Sequence, residues 1–128
     1  MKTKVTFIWV LLMCFLIGIS SRLYRSYQIS MLKSSVNRAA IPANILSCKK
    51  GWRTSVLRIE YKYFVKGEEV IGERTFKGSH TADFCSCLLQ NRTISAIVDT
   101  NNIKNSFLLL NDEEFMEWGI QKPLDLCK

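Results

Sequence analysis

The first 40 residues carry one continuous helical pattern of apolar positions. Residues 5–21 contain no charged side chain, and a helix of that length spans about 25 Å, close to the roughly 30 Å hydrocarbon core of a bilayer. Beyond this run, further apolar side chains recur at helical spacing, namely Leu23, Tyr27, Ile29, Met31, Leu32 and Val36. Pro42 lacks a backbone donor and restricts Ile41. We therefore predict one long helix that leaves the membrane and that Pro42 ends.

Two interpretations of residues 5–21 compete. A basic start precedes the run and Gly18-Ile19-Ser20 offers small residues for cleavage, as in a secretory signal peptide. An anchor instead needs the helix to continue, with Arg22 and Arg25 reaching towards lipid headgroups. Because the helical pattern continues past residue 21 without a breaker, we favour the anchor.

A period-two alternation of apolar and polar residues follows Pro42 and predicts a β-rich domain. Residues 56–66 and 70–76 read as two strands joined by the turn Lys66-Gly67-Glu68. The other predicted elements are strands at 43–49, 94–99 and 106–110, a short helix at 82–90 capped by Thr81, and a short helix at 112–118 capped by Asn111 and ended by Gly119.

The predicted fold is therefore mainly β. An N-terminal transmembrane helix precedes a small antiparallel sheet of about five strands, barrel- or sandwich-like, with one or two short helices. The predicted domains are a transmembrane anchor at residues 1–22, a helical linker at residues 23–41 and a β-rich soluble domain at residues 42–128.

The net charge of +7 lies almost entirely beside the apolar helix. Residues 1–40 contain six Lys or Arg and no acid, whereas residues 41–128 contain twelve basic and eleven acidic residues. A nucleic-acid-binding domain concentrates its excess charge on its folded part. The distribution thus predicts no nucleic-acid partner, and it predicts the lipid bilayer as a partner of the flanking cations.

Five cysteines divide into Cys14, inside the apolar run, and four beyond it: Cys48, Cys85, Cys87 and Cys127. An even number fits two disulfides in an oxidising compartment, and buried reduced thiols are the alternative. We predict at least one disulfide that ties the C-terminal tail to the body through Cys127. Its partner is open between the other three, although Cys85 and Cys87 point in different directions on a helix.

The membrane topology has two opposing signals. More cations follow the apolar run than precede it, which by the positive-inside rule favours a cytoplasmic domain. The signal-like start and the cysteine count favour export instead. We side with export.

No motif indicates catalysis. The single histidine, His80, lies in a Gly-Ser-His-Thr loop without a partner that spacing identifies. Cys85-Ser86-Cys87 lacks the second close pair of a zinc site. The tripeptide Asn91-Arg92-Thr93 fits a glycosylation sequon, but a turn explains Asn91 better. We predict no catalytic, cofactor-binding or metal-binding residue and no cofactor. Tyr61 and Tyr63 we assign to the core rather than to an aromatic binding face.

Three segments resemble the uncharacterised DUF3592 domain family. They are Tyr61-Lys-Tyr-Phe-Val65-Lys-Gly67, Ile94-Ser-Ala-Ile-Val-Asp99-Thr-Asn-Asn102 and Ser106-Phe-Leu108. The family shows Tyr-x-Tyr-x-Val-x-Gly on a hairpin and a later strand that ends in Tyr-Asp-Pro-x-Asn-Pro. This chain departs from that pattern at Val98, Thr100 and Ile103, and no second apolar helix follows Leu110. Over residues 43–110 the resemblance implies a small β-domain attached to a bacterial membrane, and it implies no catalytic residue.

The sequence thus predicts a non-enzymatic, single-pass protein of the bacterial inner membrane with a periplasmic domain. Its predicted function is to bind another protein, of immunity or exclusion type, through an exposed edge or face. The alternative is a secreted binding protein or inhibitor released by signal-peptide cleavage. An enzyme or redox protein built on Cys85 and Cys87 ranks last.

Overall fold

The structure is a computed structural model that describes residues 2–51, 55–77, 81–91, 93–123 and 127. The chain forms two compact units, Met1–Ser34 and Ser35–Lys128. The elements are α1 (Lys2–Ser34), β1 (Arg38–Lys50), β2 (Val56–Val65), β3 (Glu68–Lys77), α2 (Thr81–Asn91), β4 (Thr93–Asp99), β5 (Ser106–Leu108) and α3 (Asp112–Glu117).

The second unit is a nearly barrel-shaped antiparallel sheet of five strands in the order β3-β2-β1-β4-β5. The two short helices accompany this sheet, and α1 forms the other unit. The mainly β class predicted from the alternation of apolar and polar residues is confirmed.

The β2–β3 hairpin has an unbroken register from Val65–Glu68 to Val56–Lys77. Lys66 and Gly67 both have positive φ, 51° and 82°. Two such residues make the type of two-residue turn whose twist matches that of the strands, and glycine adopts the second conformation without steric cost. The hairpin is as predicted, with β3 beginning two residues earlier.

The prediction that the first helix runs to residue 40 and is ended by Pro42 is wrong. Helix α1 ends at Ser34, and Pro42 lies inside β1, opposite Ser95 of β4. The carbonyl of Ser95 accepts from the Leu109 N–H, so the polar groups of Ser95 point away from β1. The nitrogen of Pro42 therefore points away from β4, towards a side where the β1–β2 register starts only at Asn44. A proline is tolerated there because no ladder hydrogen bond is lost.

A β-bulge at Leu46 lies between the two halves of β1. Its register with β2 shifts between Ile45 and Ser47, so one extra residue enters β1. Before the bulge Ile45 pairs with buried Tyr61, and after it Cys48 pairs with buried Ile59. The bulge thus brings Cys48 onto the inner face of the sheet, which an uninterrupted alternation from Ile45 would not do.

The core of the second unit is the inner face of the sheet. The fully buried side chains there come from four strands, β1, β2, β4 and β5: Ala43, Leu57, Ile59, Tyr61, Tyr63, Ala96, Val98 and Leu108. Helix α2 adds buried Leu88, and its Phe84 stacks on Phe76 of β3 with ring centroids 5.1 Å apart.

Helix α3 begins as predicted. Asn111 has an extended backbone, and its side chain accepts a hydrogen bond from the Glu114 N–H at 2.9 Å. Phe115 is buried, and Gly119 at φ 67° follows the helix. Strand β5 is shorter than predicted and ends at Leu108, although Leu109 and Leu110 are also buried.

Candidate functional site: an exposed apolar helix and a β-domain closed at its seam

Helix α1 exposes a continuous apolar surface. Between Val5 and Leu23 the large apolar side chains are 39–68% exposed. Its most apolar stretch has a mean hydropathy of 2.0, and the helix is long and apolar enough to cross a membrane. A signal sequence has the same length and composition, so both interpretations of residues 5–21 remain open at this point.

The polar side chains within this apolar stretch bond to the helix itself. The hydroxyls of Thr6, Ser20 and Ser21 donate to carbonyls three or four residues earlier, at 2.6 Å, 3.2 Å and 3.0 Å. Hydrocarbon offers no hydrogen-bond partners, so a polar group there must be satisfied within the protein. The apolar stretch of α1 therefore presents no unsatisfied hydroxyl to its surroundings.

Arg74 bridges the two edge strands of the β-domain. It lies on β3 opposite Ile59, on the inner face, and its guanidinium donates to the carbonyl of Leu108 on β5. The same group forms a two-point ion pair with Glu114 of α3, in which the Nη1–Oε2 distance is 2.7 Å. The two side chains are only 11% and 15% exposed. Arg74 therefore connects β3 with β5 and α3 across the gap between the two edge strands, which we call the seam.

A cluster of two aromatic rings and two cations extends this closure. The Arg74 guanidinium lies 4.3 Å from the centroid of the Phe107 ring, which in turn lies 5.9 Å from that of Trp118. Arg38, at the start of β1, lies 5.5 Å from the centroid of the Trp118 ring. Two cations and two rings thus connect β3, β5, β1 and the end of α3.

Tyr61 and Tyr63 belong to the core, as predicted. Both are fully buried, and their hydroxyls are hydrogen bonded: Tyr61 to the Ser106 hydroxyl at 2.8 Å and Tyr63 to the Ile103 carbonyl at 2.5 Å. Burial raises the pKa of Tyr63, and the Ser106 hydroxyl opposes that rise. Tyr61 ties β2 to β5 and Tyr63 ties β2 to the segment between β4 and β5, and neither ring presents a binding surface.

The outer face of the β2–β3 hairpin carries two exposed apolar side chains. Phe64 is 54% exposed and Ile71 is 62% exposed, and the register makes them diagonal neighbours. Lys62 lies 5.9 Å from the centroid of the Phe64 ring and 3.7 Å from the Glu69 carboxylate. We call Phe64, Ile71, Lys62 and Glu69 the hairpin patch.

The four cysteines of the β-domain lie in two pairs at disulfide distance. The sulfur atoms of Cys48 and Cys85 are 1.96 Å apart, and those of Cys87 and Cys127 are 1.84 Å apart. Each cysteine of the Cys-x-Cys motif on α2 thus reaches a different partner, as expected for residues two apart on a helix. The second pair ties the C-terminal tail to α2, as predicted, and the pairing itself was open from the sequence.

His80 and Arg92 lie outside the described residues. Within the part of the chain that the structure describes, no three His, Cys, Asp or Glu side chains are close enough together to hold a metal ion.

Sequence reasoning missed Arg74, Glu114 and Ser106. Arg74 stands on the inner face in an alternating strand, and a charged residue at an inner position is a signal that a partner must exist. No local sequence pattern identifies Glu114 as the partner of Arg74, because it is 40 residues away. Ser106 is 45 residues from Tyr61 in sequence. A buried tyrosine hydroxyl usually has a hydrogen-bond partner, but the sequence does not show which residue it is.

No protein-family model, no curated protein and no solved structure matches this chain. The resemblance to the DUF3592 family therefore stays a prediction that rests on the three segments quoted above.

Proposed function

We propose that the chain is a membrane-anchored, non-enzymatic protein of the bacterial inner membrane, whose periplasmic β-domain binds another protein in an immunity or exclusion role. The observation that carries the proposal is the exposed apolar surface of α1, in which the three hydroxyls of residues 5–21 are satisfied inside the helix. A surface of that size and composition belongs in lipid rather than in water.

The cysteine pairs support export of the β-domain. Disulfides persist in the periplasm and in other oxidising compartments and are rare in the cytosol. Two pairs at bonding distance, formed from the four cysteines of the β-domain, fit an oxidising compartment. The assignment to a bacterial membrane rests on the resemblance to the DUF3592 family.

The hairpin patch supports a protein partner. Phe64 and Ile71 are apolar and more than half exposed, and Lys62 and Glu69 flank them with opposite charges. An apolar centre with a polar rim is the usual composition of a protein-binding surface. The patch lies on a regular hairpin, so a rigid backbone presents it.

Site-specific photo-crosslinking in intact cells tests this function. A photoreactive residue at position 64 is expected to yield a defined adduct with one membrane or periplasmic protein, whereas the same residue at position 116 is not. Met116 is the matched control because it is 78% exposed but lies on α3.

Co-purification then tests the same surface by loss of binding. Phe64→Ser and Ile71→Ser are expected to lose the partner while unfolding at the same denaturant concentration as the wild type, because both side chains are exposed. Met116→Ser is expected to retain the partner. Equal adducts at positions 64 and 116, or a partner that both hairpin variants retain, would contradict binding through the hairpin patch.

A further inference from the structure

Helix α1 is longer than a membrane requires. Its 33 residues extend over about 50 Å, whereas a span takes about 20 residues. The last charged side chain before the apolar run is Lys4, and the first after it is Arg22. If residues 5–21 occupy the hydrocarbon, the remainder of α1 starts in the headgroup layer and continues beyond it.

Two arginines stand at that boundary. Arg22 is one residue and Arg25 four residues past Ser21, which places their backbones about 1.5 Å and 6 Å beyond the end of the apolar run. Each headgroup layer is roughly 5–8 Å thick, so both arginines lie within it. Lys33 is about 18 Å beyond the run. It therefore lies further from the membrane than the two arginines by more than one Debye length of roughly 8 Å.

The spacing of the arginines suits a phosphate. Residues three apart on a helix are neighbours, and a guanidinium binds a phosphate through two parallel hydrogen bonds. Tyr24 and Tyr27 lie at the same depth along the helix, on a different face, and are 63% and 61% exposed. Tyrosine favours the same interfacial depth, since its ring is apolar and its hydroxyl is polar.

We propose that Arg22 and Arg25 form a binding site for anionic phospholipid headgroups in the leaflet at the C-terminal end of the membrane span. This inference rests on the proposed function, because it requires α1 to be retained as an anchor. It adds a selectivity for anionic over zwitterionic lipid, and it assigns that selectivity to two residues.

Charge decides between lipid and a second copy of the chain as the occupant of this surface. Residues 2–34 contain no acid, and the first acidic residue of the chain is Glu60. Pairing two α1 helices through this segment would bring Arg22 and Arg25 of both copies together without a carboxylate on either helix to offset them. An anionic headgroup layer offsets the same charges, at about 1 kcal/mol per cation near the surface.

Electron spin resonance of spin-labelled lipids tests the site on the full chain in bilayers. The chain is reconstituted in phosphatidylcholine vesicles that contain a minor fraction of phosphatidylglycerol. The immobilised fractions of spin-labelled phosphatidylglycerol and phosphatidylcholine are then compared. A cation near the surface favours an anionic headgroup beside it by about fivefold. Because the measurement averages over all the lipids around one helix, the expected preference for phosphatidylglycerol is about twofold.

The variants separate this site from other positive charges. Arg22→Gln/Arg25→Gln is expected to abolish the preference, whereas Lys49→Gln/Lys50→Gln, with the same change in net charge on exposed residues of β1, is expected to keep it. Arg22→Lys/Arg25→Lys keeps the charge but loses the two-point hydrogen bonding, so it is expected to retain part of the preference. Raising the salt from about 0.1 M to 1 M shortens the Debye length from about 10 Å to 3 Å and should weaken it.

Each outcome bears on a distinct claim. A chain that inserts but immobilises both lipids equally, or whose preference survives Arg22→Gln/Arg25→Gln, overturns the headgroup site and leaves the anchor intact. A cross-linkable α1 dimer in pure phosphatidylcholine without any lipid preference overturns it in favour of a second copy. A chain that alkaline washing removes from vesicles overturns the anchor, and with it the inference.

Discussion

Gly72 is required for space rather than for backbone conformation, and Gly72→Ala tests how Tyr61 is packed. Gly72 pairs with Tyr61 across the hairpin, and its φ is not in the positive range that Gly67 and Gly119 adopt. A Cβ at position 72 would lie 2.5 Å from Cζ and 2.8 Å from the hydroxyl oxygen of Tyr61. The tyrosine ring occupies the space that any side chain at position 72 would need.

The ring cannot move aside without cost. Tyr61 is fully buried, and its hydroxyl is hydrogen bonded to Ser106 at 2.8 Å. Forcing an extra methyl into a packed core costs typically about 1–3 kcal/mol, and loss of the hydrogen bond adds about 1 kcal/mol. Alanine offsets only about 0.4–1 kcal/mol by reducing the entropy of the unfolded chain. We expect Gly72→Ala to destabilise the domain by about 1–3 kcal/mol in total.

A double-mutant cycle with Tyr61→Leu isolates this contact. Leucine does not reach the space above position 72, so in that background Gly72→Ala should be neutral or stabilise the domain by up to about 1 kcal/mol. Urea unfolding of the oxidised full chain in mild detergent, followed by tryptophan fluorescence, gives all four free energies. The same cost for Gly72→Ala in both backgrounds would refute the packing explanation.

Three further predictions concern the seam, the cysteines and Tyr63. Arg74→Met removes the guanidinium that binds the Glu114 carboxylate and the Leu108 carbonyl and should cost about 2–4 kcal/mol in urea unfolding. Arg58→Met, whose pair with Glu73 is largely exposed, should shift the midpoint little. Non-reducing peptide mapping should find Cys48 linked to Cys85 and Cys87 linked to Cys127; other linkages or free thiols would contradict the pairing. Reducing either bond should lower the free energy of unfolding by about 3–4 kcal/mol, because each bond closes a loop of about 40 residues. Burial raises the pKa of Tyr63 in the folded state, so its contribution to stability is complete below about pH 10 and is lost as the pH rises through the folded pKa. Tyr63→Phe should therefore lose less stability than the wild type between neutral and alkaline pH. Parallel curves of unfolding free energy against pH for the two proteins would contradict this.

The β2–β3 hairpin was predictable because all of its determinants are local. Alternation between residues 56 and 66 defines the inner face, and Gly67 supplies the turn. The cap at Asn111 is equally local, since its side chain bonds three residues ahead. Such features need no knowledge of the rest of the chain.

The course of residues 35–41 was not predictable in this way. Locally they continue a helical pattern, and Pro42 reads as its end. In the structure residues 38–44 pair with β4, about 50 residues further along the chain, and this long-range pairing overrides local propensity. The environment of Arg74 depends on its contacts with β5 and α3, and the pairing of Cys48 depends on the bulge at Leu46. No local pattern specifies either.

The mass of the mature protein tests the membrane anchor most directly. The protein is extracted from native membranes after an alkaline wash, and its intact mass is measured without proteolysis. Retention of residues 5–21 as an anchor predicts a full-length chain in the washed membrane pellet. A soluble species whose N-terminus lies near Ser21 would contradict the anchor and would identify the apolar helix as a cleaved signal peptide.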